Sequence, residues 1–245
     1  MTRVAVLGLG EAGGRLAADL AAAGAEVAGH DPAVAGGAPD AQSAVRGADV
    51  VLSVNTAAVA RAVAEGALPA LRAGAVYADL NTTAPALKRE LAGLAGDAFA
   101  DVALLGPVPA RGLGTPALAS GPAAGAFAAL LGPLGMPVEV VSGRAGDAAA
   151  RKLLRSVFMK GVAAAAVESL EAAGAAGDAE WLRAELAAVL GEPLLDRLLA
   201  GSRTHAVRRV EEMEAAADLL RELGVEPRIA AASAGVLARL ARGGR

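Results

Sequence analysis

Residues 3–20 read RVAVLGLGEAGGRLAADL, and this stretch decides the fold. A β-branched, apolar run reaches Gly8, a glycine turn follows, and an Ala-rich helical pattern occupies Ala12 to Ala23. The turn Gly8-Leu9-Gly10-Glu11-Ala12-Gly13 has G-x-G-x-x-G spacing. In such a turn the first Gly permits the tight bend, the second lets backbone approach a pyrophosphate, and the third lets helix and strand pack closely. The helix amino terminus adds N–H donors and the positive end of its dipole. Taken alone, the spacing is weak in a chain with 31 Gly. Its place at the first strand-turn-helix, with an acid about 20 residues on, makes it a dinucleotide site.

That acid is Asp31, which follows a second strand read at Glu26 to His30. A carboxylate there accepts both adenosine ribose hydroxyls and repels a 2′-phosphate. No Arg occurs in the PAVAGGAP segment that follows, so the cofactor is read as NAD(P), with NAD favoured. The Asp31-Pro32 pair also has a plainer reading, as the start of a turn.

Outward from this unit the pattern alternates. Further strands are read at Asp49 to Val54, Ala75 to Leu80, Ala98 to Ala103, Ala117 to Ser120 and Val138 to Val141. Helical stretches fall at Ala57 to Ala64, Pro85 to Leu94 and Pro122 to Leu131, with proline where helices start well. Residues 106–114, GPVPARGLG, read as a rigid loop of the kind that carries function. The whole predicts an α/β fold with a Rossmann-like, mostly parallel sheet. Strand ends bearing Ser53-Val54-Asn55-Thr56 and Asp79-Leu80-Asn81-Thr82-Thr83 point to one crevice, which makes Asn55, Asn81 and Thr82 cofactor-binding candidates. Asn55 and Thr83 read equally well as helix caps.

After Gly143 the strand signals stop. Helices are read at about 147–174, 178–190, 192–200, 203–223 and 227–241, so residues 1–145 form the dinucleotide-binding domain and 146–245 an all-helical substrate and dimerisation domain.

Composition narrows the chemistry. With no Cys among 245 residues, disulfides, cysteine zinc sites and thiol catalysis are excluded. Aromatic residues are 2% of the chain, while 67 residues are Ala, so elements approach closely with few large side chains between them. The net charge of −3 and scattered basic residues give no footprint for nucleic acid or anionic membrane. No apolar run approaches the roughly 18–20 residues of a membrane span, and the amino terminus runs straight into a strand, so the protein is expected to be cytoplasmic. Of 23 basic residues only Lys88, Lys152 and Lys160 are Lys. Unlike Arg, an ammonium is able to lose its proton.

The segments GLGEAGGRLA (8–17), DLNTTAP (79–85), DVALLGPVPARG (101–112) and GDAAARKLLRS (146–156) occur in an order that resembles the β-hydroxyacid dehydrogenase superfamily. This group includes 3-hydroxyisobutyrate and 6-phosphogluconate dehydrogenases and the imine reductases. The GEAG turn, KLLRSVFMKG and THAVRRVEEM are most similar to a branch whose carboxyl-terminal domain has no established function. The resemblance implies an NAD(P)-dependent oxidoreductase that moves a hydride between nicotinamide and a small hydroxy acid or carbonyl substrate. It implies Lys152 as the general acid/base, and a homodimer through the helical domain. The residues are consistent with that role, since Lys152 lies six positions after Gly146 and begins an i, i+4, i+8 ridge with Ser156 and Lys160. Burial, the cationic ring and nearby Arg151 or Arg155 would lower its pKa toward working pH.

The chain departs from the dehydrogenases in two places. Ser156 stands where they carry Asn, and Leu105-Gly106-Pro107 where they carry Ser before a Gly pair. Gly106, Arg111, Ser156, Lys160 and His205 are therefore substrate-binding candidates for an unspecified substrate, with Arg111 as a replacement anion contact. Thr204, His205, Arg208, Arg209 and Glu212 are read onto adjoining faces of one helix, and no metal site is expected. The alternatives are an imine- or opine-type reductase and a non-catalytic NAD(P)-binding sensor.

Overall fold

The computed structural model describes residues 1–243. Two compact units divide the chain, Met1–Lys152 and Leu153–Arg245.

The first unit holds a seven-stranded sheet in the order β2-β1-β3-β4-β5-β6-β7. Its strands are β1 (Arg3–Leu7), β2 (Glu26–His30), β3 (Val50–Ser53), β4 (Val76–Asp79), β5 (Phe99–Leu104), β6 (Ala117–Ser120) and β7 (Val138–Ser142). The first five run parallel, and β6 pairs antiparallel to β5 with Asp101 opposite Ser120. Between them lie α1 (Glu11–Ala22), α2 (Ala41–Val45), α3 (Ala57–Ala67), α4 (Pro85–Ala95), α5 (Val108–Arg111) and α6 (Ala124–Leu131). The α/β, mostly parallel reading is thereby met.

Period-two alternation places successive side chains on opposite faces. Val4 and Val6 of β1 join Leu16, Leu20, Leu52 and Phe127 in one core, while Ala5 and Leu7 join Val51, Tyr77, Leu91 and Phe99 in another. A parallel sheet covered on both faces produces the continuous apolar strands seen in the sequence. Strand order reverses at β1, between β2 and β3, and ligands of open α/β sheets bind outside the carboxyl ends at such a switch point.

Three local readings change. Residues 106–114 are not a plain loop, because Val108–Arg111 wind into α5 and Gly112–Gly114 into a 3-10 turn. Pro109 lies in the first turn of α5, where its missing N–H costs nothing. Helix α6 starts at Ala124, two residues beyond Pro122. Neither Asn55 nor Thr83 caps a helix, since the cap positions of α3 and α4 are Thr56 and Ala84.

Helix α7 (Asp147–Ala176) begins in the first unit and carries the chain into the second, where α8 (Ala179–Leu190), α9 (Glu192–Thr204), α10 (Ala206–Glu222) and α11 (Arg228–Gly243) follow. Ala166, Val167, Leu195 and Leu199 form a core there. The predicted helix over 203–223 is two helices. His205, at φ −118 and ψ 28, interrupts it, so Thr204 ends α9 while Arg208, Arg209 and Glu212 lie on α10. No helix among the described residues is long and apolar enough to cross a membrane.

Candidate active site

The glycine turn follows β1. Gly8 has φ +102, a left-handed conformation that side chains avoid, and a Cβ on it would lie 2.2 Å from the Val54 carbonyl oxygen. A Cβ on Gly13 would lie 1.9 Å from the Gly8 carbonyl oxygen, so α1 presses directly on the turn. Gly10 differs. It caps α1 with no side-chain hydrogen bond, and a Cβ there would meet nothing within 4 Å among the described residues. Two glycines thus serve packing and one leaves space at a helix amino terminus, the arrangement a pyrophosphate requires. Glu11 is exposed and Ala12 half-buried in the first turn of α1.

Asp31 sits beside this turn and is half-buried. Its Oδ2 accepts from the Leu9 N–H at 2.8 Å and its Oδ1 from the Ala33 N–H at 2.9 Å. Donation from Ala33 and then Leu9 holds the carboxyl below the usual carboxylate range. Asp31 therefore both starts a turn and ties the end of β2 to the glycine turn. Each oxygen keeps a second lone pair for a ribose hydroxyl.

A second group forms at the ends of β3 and β4. The Asn55 N–H donates to Asn81 Oδ1 at 2.6 Å, Asn81 Nδ2 donates to Asn55 Oδ1 at 3.0 Å, and Asn55 Nδ2 donates to Ser53 Oγ at 2.9 Å. Asn81 also donates to Asp79 Oδ1 and is 5% exposed. With both amide N–H groups and its carbonyl engaged, Asn81 holds two loops together and turns no free donor outward. Thr82, the next residue, is half-buried, and its Oγ1 accepts from Lys152 Nζ at 2.7 Å. Lys152 is thereby fixed at the carboxyl end of β4. Thr83 is buried, and its Oγ1 has no hydrogen-bond partner among the described residues.

Beneath this group lies a feature that sequence reasoning missed. Lys88 is fully buried on α4, with its Nζ 2.6 Å from Asp79 Oδ2, 3.1 Å from Asp101 Oδ1 and 2.8 Å from the Asp79 carbonyl oxygen, to which it donates. Burial opposes the Lys88 charge, but the two carboxylates outweigh it and raise its pKa, while burial raises that of Asp79. A signal was present. Pro85, Lys88 and Leu91 recur every third residue and are the buried face of α4, so one of only three lysines falls on an apolar stripe.

Gly106 and Arg111 are both exposed. Their segment is fastened to α1: Arg15 Nη1 donates to the Pro109 carbonyl at 3.1 Å, and the Leu113 N–H donates to Asp19 Oδ2 at 2.8 Å.

In the second unit Ser156 and Lys160 meet Glu212. Lys160 Nζ donates to Glu212 Oε1 at 2.8 Å and to Ser156 Oγ at 3.2 Å, and Ser156 Oγ donates to the same carboxylate oxygen. Burial pushes the Lys160 ammonium down, against the pull of Glu212. His205 is exposed at the α9–α10 junction. Along the i, i+4, i+8 ridge, Lys152 donates to Thr82, and Ser156 and Lys160 donate to Glu212. No group of three His, Asp or Glu able to hold a metal occurs among the described residues.

Residues 3–106 match the NAD-binding domain of 6-phosphogluconate dehydrogenase, and residues 173–240 match DUF1932, a domain of unknown function. A conserved hypothetical protein from Sinorhizobium meliloti 1021 is 31% identical, with 97% of this chain and 88% of that one covered at a TM-score of 0.76. A conserved protein of unknown function, whose structure reveals similarity with 3-hydroxyacid dehydrogenases, is 30% identical over 97% of this chain and 96% of its own, with a TM-score of 0.75. The chain belongs to the β-hydroxyacid dehydrogenase superfamily. Within this superfamily it has the DUF1932 carboxyl-terminal domain. Mycobacterium tuberculosis 3-hydroxyisobutyrate dehydrogenase shares the fold at 22% identity, with 99% and 94% of the two chains covered and a TM-score of 0.79. As the superfamily's NAD-binding domain, the first unit supports a nicotinamide cofactor, and the glycine cradle fits one.

Proposed function

We propose that this protein is an NAD-preferring oxidoreductase that exchanges a hydride with a small hydroxy acid or carbonyl substrate, with Lys152 as the general acid/base. The observation that carries this reading is the 2.7 Å bond from Lys152 Nζ to Thr82 Oγ1. It holds an ammonium at the carboxyl end of β4, in the same unit as the glycine cradle and at the edge where sheet ligands bind. When bound, the nicotinamide supplies or accepts the hydride. Gly8, Gly10 and Gly13 shape the turn for the pyrophosphate, with the N–H groups of α1 facing it. Lys152 holds a proton at Nζ for the substrate oxygen, and Thr82 orients that ammonium. Asn55 and Asn81 keep the two loops in register. Gly106 and Arg111, both exposed in the first unit, are available to the substrate.

A substrate screen followed by nicotinamide absorbance, with NADH and NADPH and in both directions, tests this reading. It should include hydroxy acids, keto acids and imines. Turnover of a hydroxy acid or carbonyl compound supports it. Turnover of imines alone would favour the reductase reading, and a purified chain that retains NAD but turns over nothing would favour a sensor.

The Asp31 geometry carries a separate expectation. NADH should bind at least about tenfold more tightly than NADPH, because a 2′-phosphate would face a carboxylate that remains ionised, and tenfold corresponds to about 1.4 kcal/mol. Calorimetric titration with both cofactors checks it, and Asp31→Ser should narrow the gap. Equal or tighter NADPH binding would overturn the preference.

We also propose that a second copy of the chain is its partner. Phe158, Trp181, Val189, Val207 and Ile229 are 59–82% exposed in the helical unit, although this chain has only one Trp and three Phe. Light scattering at micromolar concentration should give a dimer, and a monomer would contradict this.

A further inference from the structure

We propose that Lys88 is a positioning residue for Lys152, acting from beneath the sheet edge through two arms that hold both ends of the Lys152–Thr82 hydrogen bond. This rests on the reading of Lys152 as the proton-transfer group. Lys88 Nζ donates to the Asp79 carbonyl oxygen and forms ion pairs with Asp79 Oδ2 and Asp101 Oδ1.

The first arm runs through Asp101 to the backbone of α7. Asp101 Oδ2 accepts from the Gly146 N–H at 3.1 Å, the Ala149 N–H at 3.0 Å and Ser120 Oγ at 3.0 Å, while Ser120 Oγ accepts from the Ala148 N–H at 2.9 Å. Two first-turn amides of a 30-residue helix, and the amide of the residue before it, are thus satisfied by one buried strand pair, and the carboxylate lies where the helix dipole favours negative charge. Lys152 is three residues after Ala149. The second arm runs through Asp79 to Asn81, whose amide fixes Asn55 and whose neighbour Thr82 accepts from Lys152.

One ammonium thus sets the start of the helix that bears the general acid and the loop that bears its acceptor. Two buried carboxylates sharing one ammonium are a costly arrangement where packing alone would suffice, since apolar replacements of buried ion networks are often neutral or stabilising. Orientation is what the charge contributes here.

The test uses the scarcity of lysine. The apo protein labelled with [ε-13C]lysine gives three signals, assigned by Lys152→Arg and Lys160→Arg. Lys88→Met should move the Lys152 signal and shift its titration midpoint by about half a pH unit or more, while the Lys160 signal keeps its native midpoint. Ser120→Ala, which removes two bonds of the first arm without exposing a charge, should move the Lys152 signal in the same way. If Lys88→Met fails to fold, Ser120→Ala decides: a displaced Lys152 signal supports the proposal. A folded variant that melts earlier but leaves that signal unchanged would overturn it, because a purely structural lysine lowers stability without altering Lys152. The readout needs no turnover. An absence of activity in the substrate screen therefore counts against the oxidoreductase reading alone, and an unmoved Lys152 signal against Lys88 alone.

Discussion

Replacing Lys152 with Ala is expected to lower turnover about 10²–10⁴-fold, the contribution of a positioned general acid or base. Binding of NADH should change little, because Asp31 is held to the glycine turn by the Leu9 N–H and the Ala33 N–H fixes its other oxygen. Lys152→Arg should be nearly as inactive. A guanidinium keeps the positive charge but cannot release a proton near neutral pH, so it separates charge from proton transfer. Steady-state kinetics on the substrate found by screening, with NADH affinity measured alongside, makes the comparison. Turnover unchanged in Lys152→Ala would refute the assignment.

The second large effect belongs to the glycine turn, where two positions should fail in opposite ways. Gly8→Ala combines φ +102 with a Cβ 2.2 Å from a carbonyl oxygen. Strain of this kind costs about 1–3 kcal/mol, and forced backbone shifts add a similar amount. At roughly 2–4 °C per kcal/mol for a chain of this size, the melting temperature should fall by roughly 4–24 °C. Gly10→Ala should melt near the native temperature, since φ is −63 and a Cβ meets nothing within 4 Å. It should nonetheless lose NADH affinity by tenfold or more, because the methyl group occupies the space left for the pyrophosphate. Thermal melts and NADH titrations of both variants provide the check. Native affinity in Gly10→Ala would show that phosphate does not bind at this turn.

What the sequence disclosed and what it withheld have different physical origins. Periodicity and β-branched runs are local signals, so β1 to β7 were all legible, the exposed edge strands included, and the ends of β6 were read without error. The antiparallel direction of β6 was not legible, because direction depends on pairing partners. Helix α5 was hidden by the Gly and Pro that flank four residues. The break at His205 was hidden for the opposite reason, since neither Gly nor Pro marks it. At the candidate site, the glycine turn, Asp31 and Lys152 stood out because each occupies a fixed place in a short pattern. Lys88 did not, because Asp101 is 13 positions away and meets it only through the sheet. Ser156 and Lys160 were read onto one helix face, but their partner Glu212 lies 52 residues beyond Lys160 and was not joined to them.

The bonds from α1 to the 106–114 segment give that helix the character of a ruler. Arg15 and Asp19 lie five and nine residues after Gly10, about 7.5 and 13.5 Å along an axis that rises 1.5 Å per residue. The distance from the phosphate end of the turn to the segment bearing Gly106 and Arg111 is therefore set by a count of residues rather than by a flexible hinge. Side chains on the outer face of α1 are free to vary without altering that distance. One residue gained or lost between Gly10 and Asp19 would instead turn the carboxylate about 100° around the helix, away from the Leu113 N–H, and uncouple the two halves of the crevice.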